Sequence, residues 1–236
     1  MSQNLIKSSG QRRDRSMSPD GNAPPTWLKA GTWICILIAV AVVVRRLVAL
    51  AHPATSGPPE LRSLDAYFSN HATLTRAHII PAFLFVLAAP IVLFQWSGFK
   101  VAERALFVLG AIVGATAYAM TSHAVGGWLE RSAVLVFNTW FLISLGTAFY
   151  CGVQGKDLSK RDWLVRAVVV LLGIATTRPV MGVFFATSRI THLAPSQFFG
   201  IAFWVGFSTN SIVVEWWLNS RRRKRLRESE GHTVPA

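Results

Sequence analysis

Five histidines (His52, His71, His78, His123 and His192) and three arginines (Arg45, Arg46 and Arg178) lie in or beside strongly apolar stretches of this chain. Neutral imidazole can ligate a metal or relay a proton. Guanidinium grips carboxylates and phosphates with a rigid fork of donors. Bis-imidazole ligation of haem b needs two histidines at matched depth on facing helices, and His78 with His123 is the pair the spacing offers. Zinc wants three or four convergent ligands, and no spacing here announces a metal site. Arg178 interrupts an apolar run from Ala167 to Phe185. On insertion scales a buried Arg costs about 2.5–3.5 kcal/mol, so it should have a partner or a polar route outward. Nucleophilic catalysis has little support and names no catalytic residue: no G-x-S-x-G occurs, and neither Cys35 nor Cys151 has an adjacent histidine.

The elements that must hold these groups are apolar helices. Only 15% of the 236 residues are charged and 52% are hydrophobic, against about 25% charged in a soluble domain. Six stretches, 31–51, 79–96, 105–122, 132–150, 163–186 and 197–218, approach the roughly 20 residues a helix needs to cross hydrocarbon. Alternating ten-residue segments of a β-barrel are absent. The expected fold is all-α: a polytopic integral membrane bundle of six transmembrane helices at 30–218, between basic tails at 1–29 and 219–236.

Net charge is +13, and its distribution matters more than its size. With the six stretches antiparallel, seventeen Lys and Arg residues fall on the side of the two termini, four on the other and three within spans. This positive-inside bias predicts cytoplasmic termini and a multi-pass protein of the cell (inner) membrane. The basic tails are expected to meet anionic lipid headgroups rather than nucleic acid. Both cysteines fall toward the reducing side, where a disulfide is not expected.

Residues 1–26 are polar, without apolar period, and read as disordered. Ala49-Leu50-Ala51 imitates a signal cleavage site, but the preceding tail is long and Arg45-Arg46 is charged, so the first stretch reads as a retained anchor. Residues 52–63 read as a Pro-rich turn. From Leu64 onward Tyr67, Phe68, His71, Leu74 and His78 recur on one helical face, with a bend expected at Pro81. Gly110 and Gly114 form a small-xxx-small pattern. Trp27, Trp33, Trp96, Trp163, Trp216 and Trp217 map to the side of the termini as an interfacial belt.

Placed at about 1.5 Å per residue, Arg178, Arg45, Arg46, His71, His78, Tyr118, His123, Asn138 and His192 fall into one polar layer opposite the termini. Its expected carboxylates are Glu60, Asp65 and Glu130. Such a layer suits an electron-rich partner: a lipid phosphate, haem propionates, a quinone carbonyl or an anionic substrate. The plainer reading is that these side chains mark helix ends and snorkel to water. On the other side, Glu215 is expected to pair with Arg166 or the basic tail. A proton relay is its sharper alternative.

Three stretches, VGGWLERSAVLVFNTW (125–140), KRDWLVRAVVVLLGIATTR (160–178) and NSIVVEWW (210–217), together with His78, resemble an uncharacterised multi-span membrane family, domain of unknown function twenty-three-zero-six. The resemblance covers about 73–217 and implies a fold more than an activity. That family's pattern shows His-Arg before the third span and His-Arg-x-Trp before the fifth. Here Glu103 and Lys160 stand at those histidine positions, and they are expected to form an ion pair. The layout is also similar to small b-type cytochromes, an analogy of architecture alone.

Three functions follow as expectations. The first is a binding or structural membrane protein without chemistry of its own. The second is electron transfer through haem or quinone, with His78 and His123 as ligands. The third is a small transporter or proton-coupled carrier using Arg178, Glu215 and the histidines, although no inverted repeat is visible.

Overall fold

The computed structural model describes residues 26–52, 59–94, 96–191 and 194–231. The polar segment 1–25 and His192 lie outside them. All regular structure among the described residues is helical: α1 Thr26–Ala51, α2 Pro59–Asn70, α3 Ala72–Leu93, α4 Phe99–Met120 with a 3₁₀ turn Thr121–His123, α5 Gly127–Val153, α6 Asp157–Leu171, α7 Gly173–Thr191 and α8 Pro195–Gly231. Six helical stretches are long and apolar enough to cross a membrane, α6 and α7 together making the fifth. The chain is a multi-pass membrane protein. Its surface agrees: Ile34, Leu37, Val108, Val136, Val183 and Ile212 are all exposed, which lipid tolerates and water does not.

Consecutive helices pack as pairs, α3 on α4, α5 on α6 and α7 on α8, while α5 also meets α8 and α1 rests on α3 and α7. The centre is filled by Phe85, Leu106, Phe141, Leu145, Val168 and Leu172. α7 and α8 approach closely because two glycines allow it. A Cβ on Gly173 would lie 2.5 Å from the Phe207 ring, and one on Gly206 2.7 Å from the Thr177 backbone nitrogen.

Three local features differ from the sequence expectation. Residues 59–63 are helical rather than turn: Pro59 is the first residue of α2, where its fixed φ and missing N–H fit the opening turn. The bend lies at His71 (φ −118°, ψ 35°), not at Pro81, which α3 runs through. His71 and His78 therefore do not share one helix. Thr75 stabilises the break by donating its hydroxyl to the His71 carbonyl at 2.9 Å. Finally, the helix of the first span begins at Thr26, inside the segment assigned to the tail, and α8 continues through the basic run to Gly231.

The fifth span is interrupted for one residue at Leu172. Ala175 N bonds the Leu172 carbonyl at 2.9 Å, a three-residue closure instead of four. Non-helical backbone at membrane depth needs a substitute partner, and α8 supplies it. Asn210 donates Nδ2 to the Val169 carbonyl at 3.0 Å and accepts the Thr176 hydroxyl at 2.7 Å.

Candidate ligand cavity

All eight helices contribute to a cavity of about 240 Å³ at the end of the bundle capped by α2. Its walls are apolar, among them Val42, Ala82, Val86, Phe141, Ile174 and Phe203, while Arg46, His78, His123, Glu130, Asn138 and Arg178 give it a polar end. The cavity is slightly smaller than the roughly 300–1,000 Å³ of ordinary small-molecule pockets.

Most of these polar groups are already held. On α3, His78 Nδ1 lies 3.0 Å from Thr116 Oγ1. That hydroxyl has one proton, and the Ile112 carbonyl stands 2.7 Å from it. The network therefore assigns the proton of the neutral imidazole to Nδ1, which donates to Thr116, and leaves Nε2 as a bare acceptor. Asn138 is buried on α5 and donates Nδ2 to the Gly114 carbonyl at 2.9 Å. Glu130 accepts the Gly126 amide at 2.5 Å, closing the start of α5.

α2 lies over this end. Its Asp65, only 7% exposed, accepts from Arg46 at 2.7 Å and from Arg45 at 3.3 Å. The Arg46 guanidinium also lies 4.1 Å from the Phe68 ring centroid. Tyr67 donates to the His123 carbonyl at 3.0 Å, and the His71 and His123 rings are 4.0 Å apart. Ser122 Oγ is 2.8 Å from His123 Nδ1.

Arg178 is the exception. Among the described residues its one hydrogen bond is from Nη1 to Met181 Sδ at 3.7 Å, a weak acceptor. Among the described residues Nε is buried without a partner, and no described carboxylate lies within 4.0 Å of the guanidinium.

Of the residues grouped from the sequence, Arg46, His78, His123, Asn138 and Arg178 meet at this one cavity. Arg45 is half exposed and shares Asp65, whereas His71 packs on His123 at the break. Arg46 does not snorkel to water: its side chain is 14% exposed and paired. Tyr118 bonds Thr139 at 2.6 Å and does not line the cavity. Sequence reasoning missed the roles of Asp65 and Thr116. Asp65 was placed among the carboxylates of this side, but its pairing with Arg45 and Arg46 was not.

The imidazole packed on His123 is His71, whereas His78 is held by Thr116.

At the other end, Lys160 Nζ stands 3.2 Å from Glu103 Oε1 and 3.2 Å from Asp157 Oδ1. Arg166 grips both oxygens of Glu215, Nε at 2.5 Å and Nη2 at 3.1 Å, and lies 4.4 Å from the Trp163 ring centroid. A carboxylate held in such a fork has both oxygens engaged. That geometry suits a structural clamp better than a proton relay.

No family model, curated protein or solved structure matches this chain.

Proposed function

We propose that the protein binds a lipid-soluble molecule, apolar in its body and electron-rich in its head, within the α2-capped cavity, and performs no chemistry of its own. The observation that carries this reading is Arg178: a guanidinium at the polar end of an apolar cavity, with its Nε buried and unpartnered. A buried cation is costly unless something completes it, and a ligand head entering from the membrane would do so. The cavity walls suit a hydrocarbon body.

In the same reading the protein belongs to the cell (inner) membrane with both termini cytoplasmic, supported by the bias of Lys and Arg toward that side. The basic end of α8 would then lie among anionic headgroups. Membership of the domain of unknown function twenty-three-zero-six family is likewise a proposal, resting on the three stretches and His78.

The test is lipid analysis of the full chain purified in mild detergent. Wild type should retain a lipophile in near one-to-one amount. Ala82→Phe, which fills the cavity from α3, should lose it. Equal retention by both proteins would remove the reading.

A further inference from the structure

We infer that the head recognised in the cavity is a carboxylate, and that the ligand class is the single-chain lipid carboxylate, a free long-chain fatty acid. This rests on the reading above that the cavity holds a lipid-soluble molecule; it adds the head group and the number of chains.

The first support is the edge of Arg178 that lacks a partner. Nη1 is turned to Met181 Sδ, while Nε has no partner and Nη2 makes no hydrogen bond among the described residues. Nε and Nη2 are the two donors that lie parallel along one side of the guanidinium plane. A planar carboxylate matches that fork with two hydrogen bonds, whereas a quinone carbonyl or an ester offers one oxygen.

Charge gives the second. Of the described charged side chains that line the cavity, Arg46 and Arg178 are cations and Glu130 is the one carboxylate. Asp65 is engaged by Arg45 and Arg46. Among these lining groups one positive charge is left over, and a monoanion balances it.

Size is the third. A cavity of about 240 Å³ between apolar walls takes a flat head and the first part of one chain, the rest of the chain running outward, and does not take a two-chain phospholipid with a branched phosphate ester. Asn138 uses one amide hydrogen on Gly114 and retains a second for the head.

The experiment uses the full chain, delipidated in detergent, titrated with oleate, methyl oleate and a decyl-quinone, with occupancy read by native mass spectrometry and by thermal unfolding. Oleate should bind once per chain, about tenfold or more tighter than the other two, which is a margin of one strong hydrogen bond or more. Arg178→Gln should reduce oleate to the level of methyl oleate and leave methyl oleate unchanged. Glu130→Gln, which removes an opposing charge, should tighten oleate alone, so the inference stays testable if Arg178→Gln fails to fold. Methyl oleate or the quinone binding as well as oleate, and sensitive to Ala82→Phe, would overturn the carboxylate and leave the cavity reading standing. Binding of all three probes that Ala82→Phe does not alter would overturn both.

Discussion

Asp65 on α2 holds Arg46 on α1 at 2.7 Å, and both side chains are largely buried, at 8% and 14% exposure. One carboxylate thereby fastens a short non-spanning helix over the mouth of the cavity and satisfies a cation inside a span. Removing a single member of a buried pair costs about 3–5 kcal/mol, because the other charge is left uncompensated. Asp65→Asn should fall toward the lower end, roughly 3 kcal/mol, since Arg45 is half exposed. Adding Arg46→Gln to that background should cost much less than it does in wild type. Thermal unfolding of the four proteins in detergent measures the cycle.

The α7–α8 seam makes a second prediction. Gly206→Leu must displace Thr177, whose backbone would stand 2.7 Å from the new Cβ, and should lower the melting temperature or abolish folding. Gly146→Ala is the control, because its Cβ meets nothing within 4 Å. It should be neutral or stabilising by up to about 1 kcal/mol, the helix-propensity gain over glycine.

Asn210→Ala removes the groups that satisfy Val169 O and the Thr176 hydroxyl. Polar contacts between membrane helices average about 0.6 kcal/mol and reach roughly 1.7; this one serves a backbone interruption and should lie in the upper half. Hydrogen exchange should accelerate in the first turn of α7 and not in α6.

At the opposite end, Glu103→Lys sets two ammonium groups against each other. With both wild-type side chains 19% exposed, the loss should be about 0.5–1 kcal/mol. Adding Lys160→Glu should restore most of it. The melting temperatures of the two singles and the swapped pair decide the matter.

Reporter tags fused after residue 236 and before residue 1 should both report the cytoplasm, while one inserted between residues 52 and 59 should report the opposite face. Opposite faces for the two ends would refute the charge-based orientation.

Much of the architecture could be read from hydropathy, because in lipid the cost of exposing polar surface acts on every residue of a span. All six spans were legible for that reason. The edges were not. Thr73, Arg76 and His78 lower the hydropathy of a helix that in fact begins at Ala72, so the second span starts seven residues before 79. The start of α2 was hidden because Pro58-Pro59 looks the same at a turn and at a helix start. The polar layer could be sketched from depth alone, since antiparallel spans place equal counts of residues at equal heights. Which of its members touch could not. The contact of His71 with His123 and the bond from Arg46 to Asp65 depend on α2 folding back over the bundle, and no local pattern encodes that return. Glu103 and Lys160 were readable as a pair only through the positions they occupy in the family the sequence resembles.

The one-residue gap at Leu172 divides the labour of the fifth span. Its first half is docked mainly on α5 and its second mainly on α8, with α8 also touching the first half and α1 the second, so the two halves answer to different sets of neighbours. A change of tilt at that joint would move Arg178 relative to the cavity wall while the Arg166–Glu215 anchor stayed seated. Such a joint lets an interior widen to admit a guest without prising apart the far end of the molecule.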